Sequence, residues 1–402
     1  MRDHDAEAII IGAGPAGSTT AIRLAEAGHR VLLLDRASFP RHKACSDYIS
    51  AGGEPLLDAL GVLGDVNRAG AFRMEAMIVQ APSGRRFRAD FTAAVPGSAA
   101  IGLSRYHLDH ILLQRARDAG VTVCERARVR EVLRDGERVT GIEATIDGTR
   151  ERLRAPLVIG ADGHSSVVTR GLGLDIPWRW PRKTGLATHY RGVRDLERFG
   201  EMHVGHGAYA GLAILEHGLT NLTVVVPTEA AKMREGSLED CFAETIASLP
   251  GVASKLAGAE RVGTIRGVGP MGRRARRIVG DGWLLVGDAA SFLDPFVGEG
   301  VYNALRSGFL AAPVASAALR SGDTSEAALD GYRRARRREL TAKRIVSWVV
   351  QGFVNTPPLM DYVTDRLDER EAVGLELAGV LGNIRPASRA ISPVFLARLL
   401  RP

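Results

Sequence analysis

The stretch at residues 8–17, AIIIGAGPAG, constrains the fold more than any other part of the sequence. Three consecutive isoleucines predict a buried strand, and the glycines of the turn that follows suit a bound pyrophosphate. Gly12 permits the tight turn, Gly14 lets backbone N–H groups approach the phosphates, and Gly17 lets the next helix pack closely. The free N–H groups at the N-terminus of that helix favour an anion.

An acidic residue closes this unit. Residues 31–34, VLLL, predict a second buried strand, and Asp35 follows it. A carboxylate at this position can accept hydrogen bonds from ribose hydroxyls. A glycine-rich turn in a sheet protein without nucleotide is the alternative, but the complete strand–helix–strand context predicts an α/β nucleotide-binding domain.

Composition predicts an ordinary globular protein of two or three domains. The chain has 402 residues, of which 45% are hydrophobic and 25% charged. The net charge is +7, but the basic residues are scattered, so we expect no nucleic-acid partner. Their densest cluster, residues 333–344, is interpreted as a solvated helix face in preference to a phosphate-binding or membrane-binding patch.

Cysteine usage and the N-terminus favour a cytoplasmic protein. Cys45, Cys124 and Cys241 are far apart and show no CxxC spacing, so the sequence predicts neither a metal site nor a disulfide framework. The first strand begins too early to leave room for a signal peptide. No apolar run approaches the roughly 18 residues that span a bilayer.

Periodicity along the chain predicts two interleaved domains and a tail. Alternating patterns predict two visits to an antiparallel sheet, whereas helical periodicity at residues 102–119 and buried strands at 157–163 and 283–287 belong with the nucleotide-binding unit. The predicted division is residues 1–70, 101–175 and 262–345 for the nucleotide-binding domain, 71–100 and 176–261 for the sheet domain, and 346–402 for a helical C-terminal region.

Four separated stretches together resemble a known family. They are GAGPAG at 12–17, LSRYHLDHILL at 103–113, GADGHSSVVTR at 160–170 and VGDAASFLDPFVGEG at 286–300. The chain resembles the FAD-dependent oxidoreductases of the para-hydroxybenzoate hydroxylase fold, within them the geranylgeranyl reductase family and its monooxygenase relatives. The resemblance covers about residues 5–345. It implies an α/β fold, with a Rossmann-like FAD-binding domain of the glutathione-reductase type interleaved with an antiparallel substrate sheet.

The resemblance also implies roles for individual residues. The pyrophosphate would lie on Gly12, Gly14 and Gly17, and the adenosine ribose on Asp35. The residues implied at the flavin side and the pyrophosphate are Arg105, which reaches toward the flavin, Asp162 and Gly163 near the pyrophosphate, and Asp288 on the ribityl chain. Further residues predicted to line the cofactor site are Ala16, Arg36, Arg41, Ala44, Cys45, Val129, Gly287 and Val301. Taken singly, the Asp162–Gly163 pair is equally compatible with an ordinary turn, and Asp288 with a helix cap.

The glycine-rich loop before the long helix at residues 301–319 is predicted to contact the flavin ring. Its residues are Pro295, Gly298, Glu299 and Gly300, and no side chain is assigned as catalytic. Reduced flavin gathers negative charge at the pyrimidine end of the ring. Backbone N–H groups and the positive end of a helix dipole stabilise such charge.

The sequence departs from its relatives in three places. Residues 39–48 resemble the reductases' PRxKxCG stretch, but Ser46 replaces the glycine, and residues 207–218 lack their Tyr-x-Trp-x-Phe-Pro stretch. Trp178 and Trp180 imitate the Trp-x-Trp-x-Ile-Pro of flavin halogenases without the Ile-Pro, and we interpret them as core or domain-junction residues. A packed Cys45 thiol is favoured over a redox or substrate-facing one.

These features favour an NAD(P)H-dependent monooxygenase that uses dioxygen, through a flavin hydroperoxide, to hydroxylate a lipophilic or phenolic small molecule. One alternative is a reductase that saturates isoprenoid double bonds with reduced FAD, and another is a non-catalytic FAD-binding protein.

The apolar stretches at residues 345–354 and 392–400 are expected to pack over the substrate cleft as amphipathic helices. Peripheral contact with a membrane surface is the alternative for this tail.

Overall fold

The computed structural model describes residues 4–233 and 237–401. Its strands are β1 (Ala8–Ile11), β2 (Val31–Leu34), β3 (Tyr48–Ile49), β4 (Phe72–Met74), β5 (Ala76–Gln80), β6 (Arg86–Asp90), β7 (Ala100–Gly102), β8 (Thr122–Cys124), β9 (Ala127–Asp135), β10 (Arg138–Ile146), β11 (Thr149–Arg154), β12 (Leu157–Gly160), β13 (Asp175–Pro177), β14 (Lys183–Arg191), β15 (Phe199–Val204), β16 (Tyr209–Ile214), β17 (Leu219–Pro227), β18 (Glu260–Val268), β19 (Arg273–Ala275), β20 (Val279–Gly280), β21 (Trp283–Leu285) and β22 (Ser291–Phe292).

The α-helices follow the same chain order. They are α1 (Pro15–Glu26), α2 (Glu54–Ala59), α3 (Leu63–Arg68), α4 (Phe91–Ala94), α5 (Arg105–Asp118), α6 (Val167–Gly171), α7 (Thr228–Met233), α8 (Leu238–Ala247), α9 (Pro250–Lys255), α10 (Gly300–Ser321), α11 (Glu326–Val354), α12 (Pro357–Glu369), α13 (Glu371–Leu381) and α14 (Pro393–Leu400).

A six-stranded sheet carries the nucleotide-binding unit. Its order is β20-β21-β12-β1-β2-β8, and all neighbours are parallel except β20 and β21. β1 and β2 are buried along their whole length, as strands covered on both faces require. α1, α5 and α10 cover one face of this sheet, and the antiparallel β9-β10-β11 meander lies against the other. The predicted Rossmann-like arrangement is therefore confirmed.

The second large sheet of the molecule has seven strands. Its order is β18-β14-β17-β16-β15-β5-β6, and its pairs are antiparallel except β15 and β5, which run parallel. The parallel pair joins the two separated visits of the chain to this sheet, which is why no hairpin connects them. α8 and α9 pack on one face of the sheet. Two further three-stranded sheets have the orders β3-β7-β4 and β13-β19-β22.

The C-terminal helices close the other face of the seven-stranded sheet. A core cluster joins Val79 and Phe87 of β5 and β6 to residues of α11, α12, α13 and α14. The sequence predicted this covering role for the tail. Within the described residues, no helix combines the length and the apolar character needed to cross a membrane.

Several predicted elements match closely, and others extend further than expected. The turns at Asp135–Gly136 and Asp147–Gly148 join β9, β10 and β11 as hairpins. Ser104 occupies the N-cap position of α5, but its side chain makes no capping bond. The proposed boundary at residue 262 lies inside β18, and that at 346 lies inside α11. The division into domains stays a prediction. Two of its proposed boundaries fall inside a strand or a helix.

Candidate cofactor site and apolar chamber

The glycine turn between β1 and α1 forms a tightly packed cradle. Gly12 has φ +101°, and a Cβ there would lie 2.6 Å from the carbonyl oxygen of Ala161. A Cβ on Gly17 would overlap the carbonyl oxygen of Gly12. A Cβ on Gly14 would meet only the Arg105 guanidinium, at 3.5 Å, so the backbone here faces open space. No side chain caps the N-terminus of α1, which leaves its N–H groups available to an anion.

A cavity of about 840 Å3 extends from this cradle past the end of β2. Asp35 lies in its wall and accepts hydrogen bonds from the backbone N–H groups of Ala13 and Ala37, each at 2.9 Å. These bonds fix the carboxylate where a ribose would meet it. The predicted residues that line this cavity are Gly12, Gly14, Asp35, Arg36, Arg41, Ala44, Val129 and Asp162.

A second cavity continues from the first toward the N-terminus of α10. The two cavities share six lining residues, namely Gly14, Lys43, Ala44, Ala161, His164 and Val268. The predicted residues that line the second cavity are Gly14, Ala16, Ala44, Cys45, Arg105, Gly163, Asp288, Pro295, Gly298, Gly300 and Val301. Gly17 packs beneath the cradle, whereas Gly287 and Glu299 line a separate cleft behind the loop. The elongated pair of cavities has the shape that a dinucleotide requires.

The loop before α10 presents an open backbone surface. Gly298 has φ +65°, and a Cβ there would lie 2.6 Å from the Tyr48 ring. Its N–H donates to the carbonyl of Pro295 at 2.8 Å. A Cβ on Gly300, the first residue of α10, would have no neighbour within 4 Å. A flat ring can therefore lie against this loop and the positive end of the α10 dipole.

Asp109 is a buried anchor that the sequence reasoning missed. Arg105 donates to it through Nε at 2.6 Å and Nη2 at 2.8 Å, and Arg41 Nη1 lies 2.9 Å away. Burial acts to raise the pKa of Asp109, but the two guanidinium groups hold it below its usual range. The i, i+4 spacing of Arg105 and Asp109 on a predicted helix was the available signal.

A second missed cluster ties the Cys45 loop to the seven-stranded sheet. Asp47, 2% exposed, hydrogen-bonds His189 Nε2 at 2.7 Å and Asn221 Nδ2 at 2.9 Å. It also accepts from the backbone N–H of Arg105 at 3.0 Å. Asn221 donates to the carbonyl of Cys45 at 2.8 Å. These partners are far apart in sequence, so no local pattern reveals them.

The charges around the cavities suit a ligand with phosphates and hydroxyls. Asp162 accepts from the N–H of Val167 at 2.6 Å, while its buried Oδ1 has no hydrogen-bond partner within the described part of the chain. Burial raises the pKa of Asp162 and of Asp288. Lys43 and Arg105 supply positive charge beside Asp288. The glycine cradle, the orphaned Asp162 oxygen and these cations fit FAD, and the residues named above would hold it.

The cradle, the elongated cavity and the glycine loop define a flavin-dependent oxidoreductase. The chain belongs to the FAD binding domain family (FAD_binding_3), which matches residues 5–349.

Relatives and solved structures agree with this assignment. The chain is 33% identical over 341 residues to digeranylgeranylglycerophospholipid reductase 2 of Methanopyrus kandleri, covering 81% of each chain. It is 29% identical to the menaquinone reductase of Mycobacterium tuberculosis, over 77% of this chain and 76% of the relative. The flavin-dependent brominase Bmp2 shares the fold, with a TM-score of 0.83 and 22% identity over 97% of each chain.

An apolar chamber lies between the seven-stranded sheet and the C-terminal helices. Its volume is about 350 Å3, and every lining residue except Thr364 is apolar. Phe296 lies in its wall and makes an edge contact with the Tyr209 ring. It follows Pro295 in the glycine-rich loop before α10, residues 295–300, which we call the flavin loop after its predicted ligand. Exposed residues rim the chamber, including Ile345 at 42% and Val349 at 40%. The chamber therefore runs from the surface toward the flavin loop.

The structure also locates three residues for which the sequence left alternatives open. Trp178 and Trp180 both stack on Trp348 of α11, and Trp180 is 46% exposed, so they lie at a junction, which is one of the two predicted alternatives. Cys45 packs against the core of the nucleotide-binding domain and also lines the second cavity, so both predicted alternatives for its thiol stay open.

Proposed function

We propose that this chain is a FAD-dependent reductase that takes electrons from NAD(P)H and saturates a carbon–carbon double bond of a lipophilic, isoprenoid-type substrate. The observation that carries the proposal is the apolar chamber, whose wall includes Phe296 beside the flavin loop. A chamber almost without polar groups binds a hydrocarbon chain by burial alone, at about 0.8 kcal/mol for each CH2 group. The isoprenoid and quinone reductases among the relatives support the same substrate class.

Different parts of the chain have different roles in this reaction. When bound, FAD supplies the hydride that one carbon of the double bond receives. The backbone of the loop from Pro295 to Gly300 and the N-terminus of α10 stabilise negative charge at the ring. The chamber walls orient the chain and exclude water.

The second carbon of the double bond needs a proton, and we propose Cys45 as its donor. The thiol lines the cavity between the flavin loop and the sheet. Burial raises the pKa of this thiol, so it stays protonated at neutral pH. The thiol would donate its proton to carbon as the hydride arrives, and the thiolate would then regain a proton from solvent.

A second candidate is the NAD(P)H-dependent monooxygenase, in which dioxygen supplies an oxygen atom to the substrate. It is favoured by Ser46 and by residues 207–218, where the sequence departs from the reductase pattern.

Product mass under turnover tests the two candidates. The holoenzyme is incubated with NAD(P)H and a geranylgeranyl substrate in air, and the product is analysed by mass spectrometry. A mass increase of one H2 for each reacted bond supports the reductase. An increase of one oxygen atom contradicts it and establishes the monooxygenase.

We further propose that a lipid surface delivers the substrate to the chamber mouth. Ile345 and Val349 expose apolar side chains there, and the exposed Arg398 of α14 precedes the lining residue Leu399. Co-sedimentation with anionic vesicles at low salt, weakened at high salt, is the expected result, because salt screens the arginine contribution. A protein that stays in the supernatant at low salt would contradict this part of the proposal.

A further inference from the structure

A cleft of about 410 Å3 lies behind the flavin loop, between residues 287–300 and α11. Its basic lining includes Arg274 and Arg276 near β19 and three arginines of α11, namely Arg336, Arg337 and Arg344. We call this the arginine cleft. The sequence pattern predicted a solvated helix face at residues 333–344, and Arg337 and Arg344 are indeed exposed while they also line this cleft.

These five arginines have no carboxylate partner. None of them forms an ion pair within residues 4–233 and 237–401, and Arg336 Nε is buried there without a hydrogen-bond partner. Neighbouring arginines on the same elements are paired, since Arg277 and Arg333 both contact Glu326. Arg277 and Arg333 line the same cleft, so its wall combines two paired arginines with five that have no carboxylate partner among the described residues.

The arginines also repel one another. Burial and then the positive charges of Arg336, Arg274 and Arg337 lower the pKa of Arg344. The acidic groups in the same wall are Asp288, Asp294 and Glu299, and burial raises the pKa of each of them. The cleft is built to receive negative charge from outside the chain.

We propose that the arginine cleft binds the diphosphate group of a ligand. Arg337 and Arg344 are two helical turns apart, roughly 10 Å along the axis, a span that a diphosphate and its flanking groups can bridge. The planar guanidinium fork matches phosphate oxygens in two-bond geometry.

Two ligands of the proposed reaction carry this chemistry, namely NAD(P)H and a prenyl diphosphate. The choice between them rests on the proposed function, whereas the anion site itself does not.

Calorimetric titration of the FAD-loaded holoenzyme with inorganic pyrophosphate tests the site, because bound FAD fills its own pyrophosphate cradle. Binding that weakens as salt rises is expected. Arg337→Ala and Arg344→Ala should each lower the affinity about tenfold, as loss of a charge-assisted hydrogen bond predicts. Arg338→Ala is the matched control, since it makes the same charge change on the same helix outside the cleft.

Competition then identifies the source of the diphosphate. NADPH and geranylgeranyl diphosphate are each tested for displacement of pyrophosphate, with geranylgeraniol as the phosphate-free control. Displacement by either phosphate ligand supports the proposal and names its source. No pyrophosphate binding, an equal loss in Arg338→Ala, or displacement by neither ligand would overturn it. Because this titration needs no turnover, a failed reduction reaction with intact pyrophosphate binding would count against the proposed function alone.

Discussion

At the residue scale, the acidic groups of the site differ in how their charge is balanced. Asp109 is fully buried and held by two guanidinium groups. Asp288 lines the cavity and makes no hydrogen bond through its side chain within the described residues, and burial raises its pKa. A buried carboxyl without a hydrogen bond to the protein is poorly stabilised when no ligand is bound. It is available to a ligand hydroxyl, as expected for the ribityl chain.

Asp288→Ala tests this assignment. We expect it to weaken FAD binding by about 1.5–3 kcal/mol, the value of a hydrogen bond to a charged group. Fluorescence titration of the apoenzyme with FAD measures the change. The thermal stability of the apoprotein should not fall, because the substitution removes a carboxyl that burial destabilises. The control is Asp118→Ala, at an exposed position. Equal FAD affinity in the two variants would show that Asp288 has only a structural role and does not bind the cofactor.

Cys45→Ala tests the proton donor through the pH profile. Since the raised pKa keeps the proton on the thiol to a higher pH than usual, substrate reduction should stay constant through neutral pH and fall on the alkaline side. The variant should lose this alkaline limb and react roughly 10²-fold more slowly. Reduction of bound FAD by NAD(P)H, measured without substrate, should be unchanged. A variant with the wild-type pH profile would exclude the thiol.

At the element scale, α11 joins the two halves of the proposed reaction. One side of this helix lines the arginine cleft through Arg337 and Arg344, and Val346 and Val350 line the apolar chamber. α12, α13 and α14 complete the chamber against β5 and β6. Under the proposed function, the tail contributes the binding surface for the substrate in addition to covering the sheet.

Val350→Trp tests the chamber as the place where the hydrocarbon chain binds. The larger side chain should exclude about two methylene groups, a loss of about 1.6 kcal/mol in kcat/KM for a long prenyl substrate. A short prenyl substrate should be unaffected. Val394→Trp, on the exposed surface of α14 at 61% exposure and outside the chamber lining, is the matched control. Equal effects on long and short substrates would argue against the chamber.

At the scale of the whole molecule, local sequence patterns predicted the fold of the cofactor-binding domain. The rest of the structure depends on contacts between residues far apart in sequence. The glycine turn with its two strands is one short stretch of sequence and the loop before α10 is another, so spacing and periodicity within each stretch predicted them. The parallel pairing of β5 with β15 depends on two segments more than a hundred residues apart. The same holds for the contact of Asp47 with His189 and Asn221. The apolar chamber likewise exists only once the tail has folded onto the sheet.

The preference between the two chemistries also changed at this scale. The sequence alone favoured a monooxygenase, whereas the chamber and the reductases among the relatives favour reduction of an isoprenoid chain. Both reactions would use the same flavin loop, so the loop does not distinguish a reductase from a monooxygenase.

Single-turnover reoxidation of the reduced holoenzyme under strict anaerobiosis separates them most directly. The enzyme is reduced with one equivalent of NAD(P)H, mixed with a geranylgeranyl substrate in a stopped-flow instrument, and followed by its visible flavin absorbance. The reductase account predicts that the substrate alone reoxidises the flavin, at a rate that rises with substrate concentration, and that a saturated geranylgeranyl compound leaves it reduced. A flavin that stays reduced with both compounds and recovers its absorbance only when dioxygen is admitted would contradict that account.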